Sequence, residues 1–289
     1  MPKRFSTAKG REFGASLREA IKNTGYTSRE LAEVLDWDES KLSNVANGKG
    51  GVAEVDFAVL LGICRLDAVE RRHLQRLYLA TGERNWLQQH GACPPAYPRT
   101  LAESLAMADT AITWHPHGFP ALLQVSGHVR AEIASSSTIP RQELDDRIAA
   151  RLKLQEQWLQ RYNLTCMFYL HELALALPVG GDDVHAEQLH HLLQLAVRPR
   201  ISIRIIPTAF GAHAGMRGPF TRLTFNDHEP LVCVENENST LFLEDKAAVE
   251  GYGKVVQALG RSSLDCEESK AMIVKLGERL SARSMSADG

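Results

Sequence analysis

Asp38, Glu39, Ser40, Lys41, Ser43, Asn44 and Asn47 crowd into the stretch DESKLSNVANGK, with Lys49 closing it and Thr27, Ser28 and Arg29 shortly before. These side chains are short or flexible and polar. Asparagine pairs bidentately with adenine, lysine meets guanine or a phosphate, and serine serves either. A plain surface helix would more often carry Glu/Lys pairs four residues apart. The chemistry in prospect is the reading of base edges and phosphates. Bond-making chemistry has weaker support. His171 and Glu172 begin HELALA, which lacks the second histidine, four residues on, of a zinc hydrolase. His213 sits in GAHAG, a loop that could cradle an anion but reads first as a turn. His185, His190 and His191 share one expected helix, on which a solvated face is the simpler reading. No G-x-S-x-G, P-loop or G-x-G-x-x-G occurs. No catalytic residue, metal site, cofactor or enzymatic activity is therefore expected.

The elements that position the polar cluster are written into Tyr26 to Lys49. Thr27 with Glu30 is a capping box, in which hydroxyl and carboxylate each take a backbone N–H at a helix start. Leu31, Val34 and Leu35 then make an apolar stripe. Asp36 and Trp37 interrupt it, Asp38 caps a second helix with Leu42 and Val45 inward, and Gly48 ends that helix. The alternative is an αα-hairpin that merely packs in a helical domain. The flanks favour a five-helix unit. Phe13, Leu17, Ala20 and Ile21 mark a helix stopped at Gly25. Residues 54–64 offer Val55, Val59, Leu60 and Ile63, and Asp67 with Glu70 opens a helix expected to bury Val69, Leu74, Leu77 and Tyr78.

Through LREAIKNTGYTSRELAEVL and DESKLSNVANGK this part resembles the Xre and lambda-repressor-like regulators, a helix-turn-helix family. Ser28 stands where that family often has glutamine, Asp36 where it has glycine and Asn44 where it has arginine. Aspartate tolerates the left-handed turn, but the base preference should differ from that of a typical relative.

The 289 residues suggest two domains, and an apolar fraction of 44% with 24% charged residues is ordinary for a globular chain. Apolar runs such as Phe57 to Cys64 are too short to span a bilayer, and no signal peptide is visible, so a cytoplasmic, nucleoid-associated protein without a membrane partner is expected. Cys64, Cys93, Cys166, Cys233 and Cys266 are scattered without ligand spacing and read as free thiols. Net charge is −2, and residues 1–90 carry 14 Lys/Arg against 12 Asp/Glu. That balance is less basic than a DNA-binding domain usually shows, and it points to a weak phosphate grip supplemented by dimerisation.

Residues 86–98, ending in CPPAYP, read as a linker between an all-α domain at 1–85 and an α+β domain at 99–289. A helix is expected from Arg99 to about Ile112. WHPHGFP then leads, extended, into a helix carrying Leu122, Leu123, Val129 and Ile133, and a long helix covers 141–162. Strands are expected at 164–170, 201–207, 219–225, 231–236 and 240–245, with helices at 184–197, 246–259 and 267–281. The fold class is thus a five-helix all-α domain followed by α+β with a small mixed sheet. Trp114, Phe119, Leu122 and Leu123 either line a groove for a partner or apolar ligand or pack between helix and sheet.

The segments WHPHGFPALLQVSGHVRA, RIAARLKLQEQWL, FYLHELALALPVGG, QLHHLLQLA and ISIRIIPTAFGAHAGMRGPFTRLTF resemble, in order, the C-terminal domain of actinobacterial antitoxin-like regulators. Ala121 and Val125 depart from its usual Gly and Thr, and His171 precedes Glu172. The resemblance implies a transcriptional regulator that acts with a small, neighbour-encoded partner protein. Together these readings give a sequence-specific regulator of double-stranded DNA, a homodimer whose 38–47 helix enters the major groove and whose second domain dimerises or binds a partner or ligand. The alternative is an interaction or ligand-sensing protein with weak or vestigial DNA binding.

Overall fold

Four of the first five helices start on a side-chain cap that the sequence supplies. The computed structural model describes residues 7–49, 52–81, 85–90 and 99–287. Its α1 (Ala8–Thr24) is capped by Thr7 and stops at Gly25, whose φ of 81° suits a residue without Cβ. The Thr27 and Glu30 capping box opens α2 (Ser28–Leu35), Asp38 caps α3 (Glu39–Ala46), and Asp67 accepts from the Val69 and Glu70 N–H groups at the head of α5 (Ala68–Ala80). Between them α4 (Glu54–Cys64) begins after Ala53 without a side-chain cap.

The chain divides into two units. The first holds residues up to Trp86 with Arg99–Met107 and Asp227–Glu229, and the second holds the rest. The core of the first is aromatic at its centre, with Phe57 stacked on Tyr78 at 4.3 Å and tilted against Phe13 at 5.4 Å. Leu17, Leu31 and Leu60 are fully buried around them, each such side chain stabilising by about 1.5–3 kcal/mol. Glu12 is buried as well, and its carboxylate takes the Thr100 hydroxyl from α6 (Arg99–Met107) and lies 3.3 Å from His73 Nε2. Four valines expected inside are exposed: Val34, Val55, Val59 and Val69. In α4 the inward residues are the expected Leu60 with Phe57, Leu61 and Cys64. That helix is apolar almost all round, so periodicity does not fix its rotation. The Phe57 ring, which needs Phe13 and Tyr78, does.

The second unit is built on a seven-stranded mixed sheet of order β1-β7-β6-β5-β2-β3-β4, larger than the sheet expected. Two strands account for the difference. β1 (Trp86–Gln89) lies in the supposed linker, whose residues 91–98 fall outside the described ones, and β2 (Thr110–His115) lies where a helix was expected to run on to Ile112. β2 is an inner strand, parallel to β3 (Thr165–His171) and antiparallel to β5 (Phe220–Thr224). β4 (Ile201–Ile206) continues the parallel set, while β6 (Leu231–Asn236) and β7 (Ser239–Leu243) continue the antiparallel one. Parallel neighbours need crossovers. α7 (Ser126–Ser135) and α8 (Leu144–Leu159) serve β2 to β3, and α9 (Glu172–Ala176) and α10 (Asp182–Ala196) serve β3 to β4.

On one face Trp114, Tyr169, Phe220 and Val232 pack with Val249 and Leu259 of α11 (Lys246–Ser262). The β4 edge is covered by the turn into α12 (Cys266–Ala287): Leu264 N–H donates to Ile205 O, and Ser269 Oγ accepts from Ile205 N–H. Arg204 reaches from β4 to the carbonyls of Gly260, Ser263 and Leu264, which closes the end of α11. Among the described residues no helix is long and apolar enough to cross a membrane.

Candidate nucleic-acid interface

Close backbone contact fixes where α3 sits on α1. A Cβ on Gly48 would lie 1.7 Å from the Gly10 carbonyl oxygen, and one on Gly14 would lie 2.7 Å from that of Ala46. Only glycine allows this approach, and at Gly48 the φ of 67° demands it again. Arg18 of α1 donates to Ala46 O at 2.6 Å, satisfying an end carbonyl of α3. Leu42 and Val45 face inward, as the sequence implies. The turn before α3 works as expected: Asp36 takes φ 53°, ψ 43°, the left-handed conformation.

The polar residues of the cluster fall into two groups, those committed within the protein and those left open to solvent. Asp38 caps α3, accepting from Lys41 N–H at 2.8 Å and from the Ser40 hydroxyl at 2.5 Å, bonds that hold its carboxyl below the usual range. Thr27 is equally committed. It exchanges bonds with Glu30, whose carboxyl is held down by the Thr27 N–H. Arg29 pairs with Glu33 at 3.3 Å, and Asn47 donates to Ser43 at 3.2 Å. Lys41 does not reach outward. Its Nζ is 2.8 Å from Asp56 Oδ2 and 4.5 Å from the centroid of the Trp37 ring. Ser28, Glu39, Asn44 and Lys49 are exposed, and among the described residues the Asn44 amide makes no hydrogen bond. That is the one amide of α3 open to pair with a base edge.

Of the two readings of Trp114, Phe119, Leu122 and Leu123, groove or packing between helix and sheet, the structure has the packing, all four being buried. The reason lies in three glutamines. The irregular segment that follows Phe119 is buried, so its backbone polar groups need partners within the protein. Gln124 donates to Phe119 O, Gln155 to Gln124 O, and Gln188 to Leu123 O while accepting from Val125 N–H. Two of the histidines meet in the second unit. His171 and His213 stack at 5.4 Å, and each Nδ1 accepts a backbone N–H, from Leu173 and Gly215. A neutral ring so bonded carries its proton on Nε2. Burial lowers the pKa of both, and His171 lowers that of His213 further. Glu172 accepts from Thr208 N–H at 2.7 Å. Among the described residues no group of three or more His, Cys, Asp or Glu is placed to hold a metal ion.

A family model described as a domain of unknown function (DUF5753) matches residues 98–275, more than half of the chain. The chain belongs to that family. A second model, described as a helix-turn-helix domain, matches residues 12–74, from within α1 to within α5. No curated protein and no solved structure matches.

In this DUF5753 protein the matched helix-turn-helix contains every residue expected to touch DNA. Three residues that set its chemistry escape a sequence reading. Arg18 and Asp56 act on α3 from other helices, and Trp37 looks like a mere interruption of the pattern. Only Trp37 leaves a signal, since a large aromatic beside a turn must cover something.

Proposed function

We propose that the protein is a transcriptional regulator of the Xre type that reads duplex DNA with α3 in the major groove. The observation that carries this is the open Asn44 amide on the exposed face of a helix-turn-helix whose α3 is pressed onto α1 through glycines. A symmetric dimer would read two half-sites about 34 Å apart. The second unit would hold that dimer or bind a small neighbour-encoded partner, as in the antitoxin-like regulators the chain resembles. Such a protein works in the cytoplasm, on the nucleoid. The test is genome-wide footprinting of the tagged protein in its own host, with Asn44→Ala beside it. A few sharp palindromic sites that shift or vanish in the variant support the reading, and diffuse occupancy in both defeats it.

A second reading, an interaction or ligand-sensing protein with weak DNA binding, draws on Lys41. Its charge is balanced by Asp56, and Asp38 and Glu39 open the same helix. Phosphate contacts supply most sequence-independent affinity, so a recognition helix without an available cation grips weakly. Tight capture of a neighbour-encoded partner protein together with weak, sequence-indifferent DNA binding would favour this second reading.

A further inference from the structure

A cleft of about 360 Å³ opens at the amino ends of β3 and β4, between the end of α8 and the turn that follows α10. Arg161, Arg198 and Arg200 line it together with Trp158, Tyr162 and Cys166, and no Asp or Glu does. Arg200 donates through Nη1 to the carbonyl oxygens of Arg161 and Leu164, and its guanidinium carbon stands 5.3 Å from the centroid of the Tyr162 ring. Arg161 donates through Nη2 to Ala108 O at 3.0 Å and to Asn163 Oδ1 at 3.3 Å. The carbonyls that hold Arg200 orient its fork without neutralising it. Arg198 is exposed and, among the described residues, has no ion-pair partner. Asp109, whose charge favours that of Arg161, accepts the Asn226 N–H at 2.7 Å. Burial works against the charge of Arg161.

Guanidinium groups held in fixed orientation match a carboxylate or phosphate bidentately, and an aromatic ring beside them offers a stacking surface. The volume lies at the small end of ligand sites, enough for a ring with one anionic group and more than a bare inorganic ion fills. Cys166 adds no chemistry, because burial pushes its thiol up to about 11 and it takes the Trp158 indole N–H. We propose that this cleft binds a small organic anion, a carboxylate or a phosphate ester that carries a flat ring against Tyr162. The site does not depend on DNA binding, and neither reading falls with the other.

The test is calorimetric titration of the full-length protein with benzoate and with adenosine monophosphate, beside their uncharged counterparts benzamide and adenosine. At least one anion should bind with Kd below about 1 mM, and its uncharged counterpart about tenfold or more weakly. Whichever anion binds tells carboxylate from phosphate. Arg198 is exposed, so Arg198→Glu should leave thermal unfolding unchanged while weakening the anion about tenfold or more. Tyr162→Ala, equally exposed, should weaken it several-fold, about 1 kcal/mol if the ring stacks. Equal binding of charged and uncharged probes, an affinity untouched by Arg198→Glu, or no binding of either anion at about 10 mM would each overturn the proposal.

Discussion

The exposed side of α3 and the arginine cleft of the second unit treat positive charge in opposite ways. On the first, Lys41 lies against Asp56 and Trp37, so the helix that should meet a polyanion presents an amide and hydroxyls. In the second, three guanidinium groups meet with no carboxylate among the lining residues, two of them oriented by backbone carbonyls. A carboxylate partner cancels a charge, whereas a carbonyl partner orients it and leaves it available. The first region is therefore suited to discriminating bases with little pull on phosphates, and the second to holding one small anion. Residue type follows the same logic: the flexible ammonium of Lys41 is damped, and the planar fork of Arg200 is oriented by carbonyls alone.

The largest expected effect breaks the first region outright. Gly48→Ala sets a Cβ into the Gly10 carbonyl and forces a left-handed φ on alanine, and it should destabilise by roughly 3 kcal/mol. Gly62→Ala is the control. Its added Cβ would meet nothing within 4 Å in the last turn of α4, so it should stabilise, by at most roughly 0.5–1 kcal/mol. Urea unfolding of the two variants decides whether backbone approach, and not glycine as such, seats α3.

Acid should separate the two units next. Burial lowers the pKa of His90, His115, His128, His171, His191 and His213 in the second unit, against His228 alone in the first. Below their ordinary value of 6.5 the unfolded chain takes up protons that the folded one refuses, so stability falls as pH drops through that value. The caps of α2 and α3 behave differently. Glu30 and Asp38 have lowered values, so their contribution is present above the ordinary carboxylate range and is lost only as pH falls through and below it. Hydrogen exchange at about pH 7.5 and about pH 5.5 should therefore show the second unit loosening first. Equal loosening of both would mean that the buried histidines are not what acid attacks.

Asn44→Ala probes specificity alone. It should cost about 1–3 kcal/mol on a selected site and almost nothing on random DNA. Anisotropy titrations of both duplexes measure the difference, and equal losses would mean that the amide touches no base.

What the sequence made legible follows from how local each feature is. The capping box of Thr27 and Glu30, the left-handed Asp36 and the cap at Asp67 need only neighbours in the chain, and all were readable. The face turned inward by α4 was not, because it depends on Phe13 and Tyr78 from other helices. β2 was missed for a different reason: the apolar spacing of α6 carries on past Met107, although TAITWH holds the β-branched and aromatic residues of a strand. The second region was least legible. Arg161 follows a helix, while Arg198 and Arg200 follow another, and only the pairing of β3 with β4 brings them together. In the first region Lys41 read as a cation free for guanine or phosphate, because its partner Asp56 lies fifteen residues away.

That ion pair gives the smallest and sharpest prediction. Each side chain is about one-third exposed, so the pair itself contributes less than about 1 kcal/mol, and Asp56→Asn should barely change stability. Its effect on DNA should be clearer, because an ammonium no longer balanced by a carboxylate is available to a phosphate. Affinity for any duplex should rise a few-fold, and the slope of log K against log salt should steepen by about 0.9, one further phosphate contact. Adding Lys41→Ala should cancel the gain. If Asp56→Asn leaves both affinity and salt slope where they were, Lys41 cannot reach the phosphates even when released, Trp37 holds it, and the weak grip of this helix is a matter of geometry and not of charge balance.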